Sequence, residues 1–200
     1  PRSTPKPSSA ASDVYKRQVS NSDHFNDLIS DFPSIDNLNK QISRKSKNYD
    51  KTFRETLVKE ISTQYNDIDL TELQKSNIKK LAENKTFTIT TGHQLNLLTG
   101  PMYFIYKIIS VVNLCEKMQR KYSKFNFVPI FWMASEDHDF NEINNVTING
   151  NKFLWESDQQ GPVGKFNTKG IINIIENISS IIGITVNNTS ILNLLKKWPI

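Results

Sequence analysis

The chain has 200 residues, 25 Lys+Arg against 20 Asp+Glu, and a pI of about 9.2. That length suffices for one or two domains with a sizeable core. A hydrophobic fraction of 37%, a mean hydropathy of −0.48 and no apolar run near 18 residues exclude a membrane-spanning helix. The single cysteine, Cys115, excludes an intrachain disulfide and a Cys-based zinc knuckle, and a reducing cytoplasm is the expected compartment.

Residues 1–18, PRSTPKPSSAASDVYKRQ, are rich in Pro, Ser and Ala and lack apolar periodicity. Beyond them alanine recurs only at Ala82 and Ala134, while Asn, Ile and Lys dominate. This break predicts a non-native or disordered leader, without the apolar stretch of a signal peptide. Without its four basic residues and one acidic residue, 21 basic and 19 acidic residues remain, a net +2. One basic cluster survives, Lys40, Arg44, Lys45, Lys47, Lys51 and Arg54, opposed by Asp50. Such a run reads as a solvated helix face rather than a nucleic-acid patch.

An N-terminal helical segment is expected over 19–84, packing on the core. Phe53, Leu57, Ile61 and Tyr65 recur every four residues, predicting a helix over 52–65 opened by a Thr52/Glu55 capping box. A second helix over 71–84 begins with Thr71 and Gln74 in the same pattern, with Leu73, Ile78 and Leu81 inward.

A βαβ core is expected over 85–145. Residues 85–90, KTFTIT, form a short strand ended by Thr91-Gly92, and a polar loop runs to Gly100-Pro101. Residues 102–120 form a helix with Ile105, Ile108, Ile109, Val112 and Cys115 buried. Residues 126–133, NFVPIFWM, read as a buried parallel strand with Phe131 and Trp132 packed, although Pro129 fits a central strand poorly. Over 146–200, Asn149-Gly150 between two β-prone runs predicts a hairpin with a type I′ turn. Gly161 to Gly164 form a turn region, 171–182 an Ile-rich helix, and 190–198 a last helix. The chain stops two residues later without a closing element, which suggests a piece of a longer protein.

In a βαβ unit Thr91-Gly92-His93-Gln94 and Ser135-Glu136-Asp137-His138-Asp139 both follow the carboxyl ends of parallel strands. That edge is where open α/β sheets bind ligands. Gly92 would admit a ligand close to the backbone. Thr99, Gly100 and the helix start offer amide donors to a phosphate or carboxylate. Tyr103, Tyr106 and Lys107 lie in the first helical turns, where Lys107 can reach an anion. Carboxylate neighbours would raise the pKa of His138 and suit it to proton transfer. Asp137 or Asp139 can equally cap the next helix. Two other function classes use these residues. In a metal-dependent hydrolase, His93 and the 136–139 run supply ligands, although no HExxH or paired-His motif is present. A nucleic-acid-binding module would use the basic cluster.

Residues 91–110, TGHQLNLLTGPMYFIYKIIS, and 128–144, VPIFWMASEDHDFNEIN, closely resemble the BshC family, the cysteine ligase of bacillithiol biosynthesis. GPVGKF at 161–166 is similar to that family too. The resemblance implies an α/β, Rossmann-like parallel-sheet core related to class I nucleotidyl transferases. Amphipathic helices would precede it and a hairpin insertion would follow. It also implies a C-terminal coiled coil outside this sequence, through which a homodimer could form. The implied activity adds cysteine to glucosaminyl-malate by amide formation, with no nucleic-acid or membrane partner. Under it, Glu136, Asp137, His138 and Asp139 would be catalytic. Thr91, Gly92, His93, Gln94, Thr99, Gly100, Tyr103, Tyr106, Lys107 and Ser135 would bind substrate or nucleotide. The family commonly has TGQQ where this chain has TGHQ, so His93 is not expected to be the essential base. ATP activation of the cysteine carboxylate is chemically attractive, although no P-loop is present. No metal is expected, and the fragment alone is expected to be inactive.

Overall fold

The structure, a computed structural model, describes residues 16, 30–32, 34–98, 100–182, 187, 189–191 and 193. The leader and the helix expected over 190–198 therefore lie almost wholly outside the described residues. The chain divides into two compact units, meeting between Lys85 and Thr86.

The first unit is helical. Helix α1 (Ile35–Asn48) starts at Ser34, whose hydroxyl accepts the Asn37 N–H at 3.1 Å. Its apolar positions give way to a basic run, so the spacing alone does not announce it. Helix α2 (Lys51–Gln64) is capped by Asp50 rather than by the expected Thr52/Glu55 box. The Asp50 carboxylate accepts both the backbone N–H and the hydroxyl of Thr52, at 2.8 and 2.9 Å. The Thr52 N–H first, and its hydroxyl second, hold that carboxyl below its ordinary pKa. A carboxylate one residue before the helix thus outcompetes a threonine inside it. Phe53 is exposed, while Leu57, Ile61 and Tyr65 are half-buried, so only part of the expected stripe is covered.

Helix α3 (Glu72–Leu81) forms the expected capping box. Thr71 Oγ1 accepts from the Gln74 N–H, and Gln74 Oε1 from the Thr71 N–H. Leu81 is buried, but Leu73 is 69% exposed, which corrects its inward assignment. Leu73 lies in the first turn, two residues past the cap. Arg54 donates to the Leu81 carbonyl at 2.8 Å and so ties α2 to the end of α3.

The second unit contains the βαβ motif. Strand β1 (Thr86–Gln94) and strand β2 (Asn126–Ala134) pair in parallel, from Thr86 opposite Asn126 to Gln94 opposite Ala134. Helix α4 (Met102–Lys121) connects them and packs on both. This is the α/β, Rossmann-like arrangement that the sequence implies. Strand β1 runs four residues past its expected end, because residues 91–94 keep their partners in β2. Gly92 makes this approach possible. A Cβ there would meet the Trp132 carbonyl oxygen at 2.8 Å.

The buried face of α4 consists of Phe104, Ile108, Val111, Cys115 and Met118, whereas Ile105, Ile109 and Val112 are exposed. The helix is rotated by about one residue from the expected face. Phe104 sets the rotation by packing on Phe131, with ring centroids 4.9 Å apart. Phe131 is half-buried in this contact, as expected, but Trp132 is 60% exposed. Pro129 lies within the ladder opposite Ile89. Among the described residues β2 has a neighbour on one side only, which leaves an open edge for the missing N–H.

After β2 come a short helix α5 (Phe140–Ile143) and a hairpin of β3 (Asn145–Ile148) and β4 (Asn151–Leu154). Asn149 and Gly150 both have positive φ, 50° and 80°, as the expected type I′ turn requires. A 3₁₀ turn at Val163–Lys165 precedes helix α6 (Ile171–Ile182). Ile174 and Ile178 of α6 form a buried cluster with Trp155 and Leu97, flanked by Phe140 and Phe166. No helix among the described residues is long and apolar enough to cross a membrane.

Candidate functional site at the carboxyl edge of the β1–β2 pair

The parallel register sets His93 opposite Met133 and Gln94 opposite Ala134. The two polar segments therefore leave the sheet side by side, although 40 residues of chain lie between Gln94 and Ser135. Each is then held by its own contacts.

On the β1 side, His93 bridges the strand end and the start of α4. Its Nδ1 lies 3.0 Å from the Gln94 carbonyl oxygen and its Nε2 lies 2.7 Å from the Tyr103 hydroxyl. The Asn96 amide nitrogen lies 3.1 Å from the same Nδ1, so both ring nitrogens are engaged whichever tautomer is present. The Asn96 amide donates to the same Gln94 carbonyl at 3.0 Å. Lys107 donates to the Gly92 carbonyl at 3.1 Å, and its ammonium stands 5.4 Å from the Tyr103 ring centroid. Strand end and first helical turns thus form one hydrogen-bonded cluster. Gly100 has φ +62°, and a Cβ there would meet the Asn96 side chain at 2.8 Å. The loop between is anchored from below: Leu97 is buried in the α6 cluster and its N–H donates to the Ile143 carbonyl at 3.0 Å.

Gly92 packs against Trp132 in the neighbouring strand, where a Cβ would meet the Trp132 carbonyl oxygen at 2.8 Å. Gln94 is buried, Thr91 half-buried, and Tyr103 and Tyr106 exposed. Thr99 lies outside the described residues.

On the β2 side, Asp139 caps α5 by accepting the Glu142 N–H at 3.3 Å, and Asp137 accepts the Asp139 N–H at 3.0 Å. Two of the four candidate catalytic groups therefore shape the loop, as the capping alternative allows. Glu136 is exposed and accepts from the Trp132 indole N–H at 3.4 Å. His138 is exposed, and its ring pairs with no carboxylate among the described residues. Among those residues no three His, Cys, Asp or Glu side chains gather as a metal site would require. The His/Asp/Glu grouping needed by the hydrolase alternative therefore does not form there.

Three participants escape sequence reasoning. Asn96 joins the His93 cluster, and Val163 and Gly164 hold the loop after β2. The Gly164 N–H donates to the Ser135 carbonyl at 2.9 Å, and the Val163 N–H to the Asp137 carbonyl at 2.8 Å. The paired glycines of GPVG were the available signal, but nothing in their spacing names the loop they meet.

A family described as bacillithiol biosynthesis BshC, N-terminal Rossmann-like domain, matches residues 3–199. Three similar curated proteins bear the name "Putative cysteine ligase BshC". The one from Flavobacterium johnsoniae is 46% identical over 170 residues, 85% of this chain and 31% of its own length. That from Flavobacterium psychrophilum is 47% identical over 164 residues, 80% and 30% respectively. That from Christiangramia forsetii is 45% identical over 172 residues, 84% and 31%. The chain thus spans about 31% of the length of these relatives.

Proposed function

This chain belongs to the BshC family, matching its N-terminal Rossmann-like domain, and on that premise we propose that the full-length protein is a cysteine ligase of bacillithiol biosynthesis. It joins the carboxyl group of cysteine to the amino group of glucosaminyl-malate. The supporting observation is the parallel β1–β2 register, which sets Gly92-His93-Gln94 beside the 135–139 loop at one sheet edge.

In the reaction a C–N bond forms as the amine attacks the cysteine carboxyl carbon. The nitrogen loses a proton and the carboxyl loses an oxygen. With ATP as co-substrate, that oxygen departs on phosphate; without it, as water. Two tasks fall to the protein: holding anionic groups and accepting the amine proton. Lys107, Tyr103, Tyr106, Gly100 and the segment from Thr91 to Gln94, together with Ser135, surround the anionic ligand. Tyr103 and Lys107 are preorganised by their bonds to His93 and Gly92. Exposed and unencumbered, His138 takes the proton, with Glu136 beside it. Asp137 and Asp139 hold the loop in shape. His93, with both ring nitrogens engaged, orients Tyr103.

The test incubates full-length protein with glucosaminyl-malate and cysteine, with and without ATP, and identifies the thiol product by mass. A product heavier than glucosaminyl-malate by a cysteinyl residue is expected, and its absence in both arms overturns the proposal. His138→Ala should lower kcat by about 10²- to 10⁴-fold, the usual contribution of a general base. Unchanged turnover would remove His138 from the proton path.

A further inference from the structure

The 161–166 segment makes no part of the β1–β2 pair, yet it is bonded to the loop that follows β2. Val163 is buried, which seats the 3₁₀ turn in the unit. From that seat the Val163 and Gly164 N–H groups donate to the Asp137 and Ser135 carbonyls at 2.8 and 2.9 Å. These two bonds grip alternate residues of the loop, on either side of Glu136 and next to His138.

The fit leaves no room for a side chain. A Cβ on Gly164 would lie 2.4 Å from the Ser135 Cβ, 2.9 Å from its carbonyl oxygen and 3.2 Å from its Cα. Gly164 is not needed for its backbone angles, because its φ is not in the left-handed region, unlike those of Gly161 and Gly170. Its requirement is therefore steric and directed at one residue.

We propose that the Val163–Gly164 turn is a latch for the 135–139 loop, and that Gly164 is a positioning residue for ligation. It acts through Ser135 and Asp137 and does not touch the substrate. The inference rests on the ligase reading, because it is the reactive loop of that reading that the latch holds. A methyl group at position 164 pushes Ser135 away, breaks the Gly164 bond and displaces Glu136 and His138.

The experiment uses full-length protein with Gly164→Ala, alone and combined with Ser135→Gly. Thiol product formation, thermal unfolding and backbone hydrogen exchange are followed in each. For Gly164→Ala alone, kcat should fall at least tenfold with KM within about threefold. Exchange should quicken in peptides covering 135–139 and 161–166, with the rest of the chain unchanged. Ser135→Gly removes the atom in closest conflict and frees its backbone to shift, so the double variant should recover part of the lost exchange protection. Unchanged exchange and kcat in Gly164→Ala would overturn the latch. If that variant does not fold, an equally unfolded double variant would overturn it, and a folded one would support it. Wild-type protein that makes no product refutes the ligase reading instead. The exchange comparison still tests the latch itself in that case.

Discussion

At the scale of single residues, Cys115 shows how the fold sets reactivity. It is 4% exposed on the inner face of α4. Burial pushes its thiol up to about 11, against a weaker opposing pull from its hydrogen bond to the Ile89 backbone. The thiolate is the nucleophile, and an unperturbed thiol titrates near ~8.5. Alkylation at pH 8 should therefore run roughly a hundredfold slower in folded protein than in a free thiol, as followed by mass. Modification at the free-thiol rate would refute the burial. The same displacement carries a stability signature. Above pH ~8.5 the unfolded chain sheds the thiol proton while the folded chain keeps it. Stability should therefore fall as pH rises from that value towards 11. His93 is the contrasting case, a histidine whose ring nitrogens are occupied by Gln94 and Tyr103, which makes it a structural bridge at the candidate edge.

At the scale of elements, the decisive contact is between β1 and β2 at Gly92. Gly92→Ala would place a Cβ 2.8 Å from the Trp132 carbonyl and 3.0 Å from its Cβ. The first of these is backbone of the paired strand and cannot swing aside. Overpacking of this kind costs about 1–3 kcal/mol. Chemical unfolding of the full-length protein should register that loss, and amide exchange should show it concentrated at the ends of both strands. A neutral substitution would mean that the strands part before residue 92. Capping behaves more predictably from sequence. The Thr71/Gln74 box forms as its spacing requires, since both partners lie within one turn. The Thr52/Glu55 box does not, because Asp50 reaches the Thr52 N–H first.

At the scale of the whole molecule, charge is the first property to reconsider. The net +5 suggests a polyanion partner. Yet Lys40 and Arg44 share Asp31, Lys51 lies 3.7 Å from Glu55, and Arg54 lies over the Tyr49 ring. These cations are matched locally and spread over two helices. Protein lacking residues 1–18 should show no saturable binding to a random-sequence DNA duplex at about 50 mM salt, as read by fluorescence anisotropy. Tight, salt-sensitive binding would revive the nucleic-acid reading.

The sequence by itself determined the order of the four strands and of helices α3, α4 and α6, the type I′ turn and the span of α6. It also determined that the TGHQ and SEDHD segments share one edge. Each follows from local spacing, or from the handedness and direction that a βαβ unit imposes. Tertiary structure alone decided which apolar stripe of α4 is buried, because residues 104, 108, 111, 115 and 118 and residues 105, 108, 109, 112 and 115 are both apolar sets at helical spacing. Only the contact between Phe104 and Phe131 distinguishes them. Tertiary structure also decided the end of β1, which depends on a carbonyl 40 positions away in the chain, at Trp132. It joined Gly164 to Ser135, a steric match between segments that share no periodicity. Short-range patterns are written in neighbouring residues, whereas close approaches between distant segments exist only once the chain has folded.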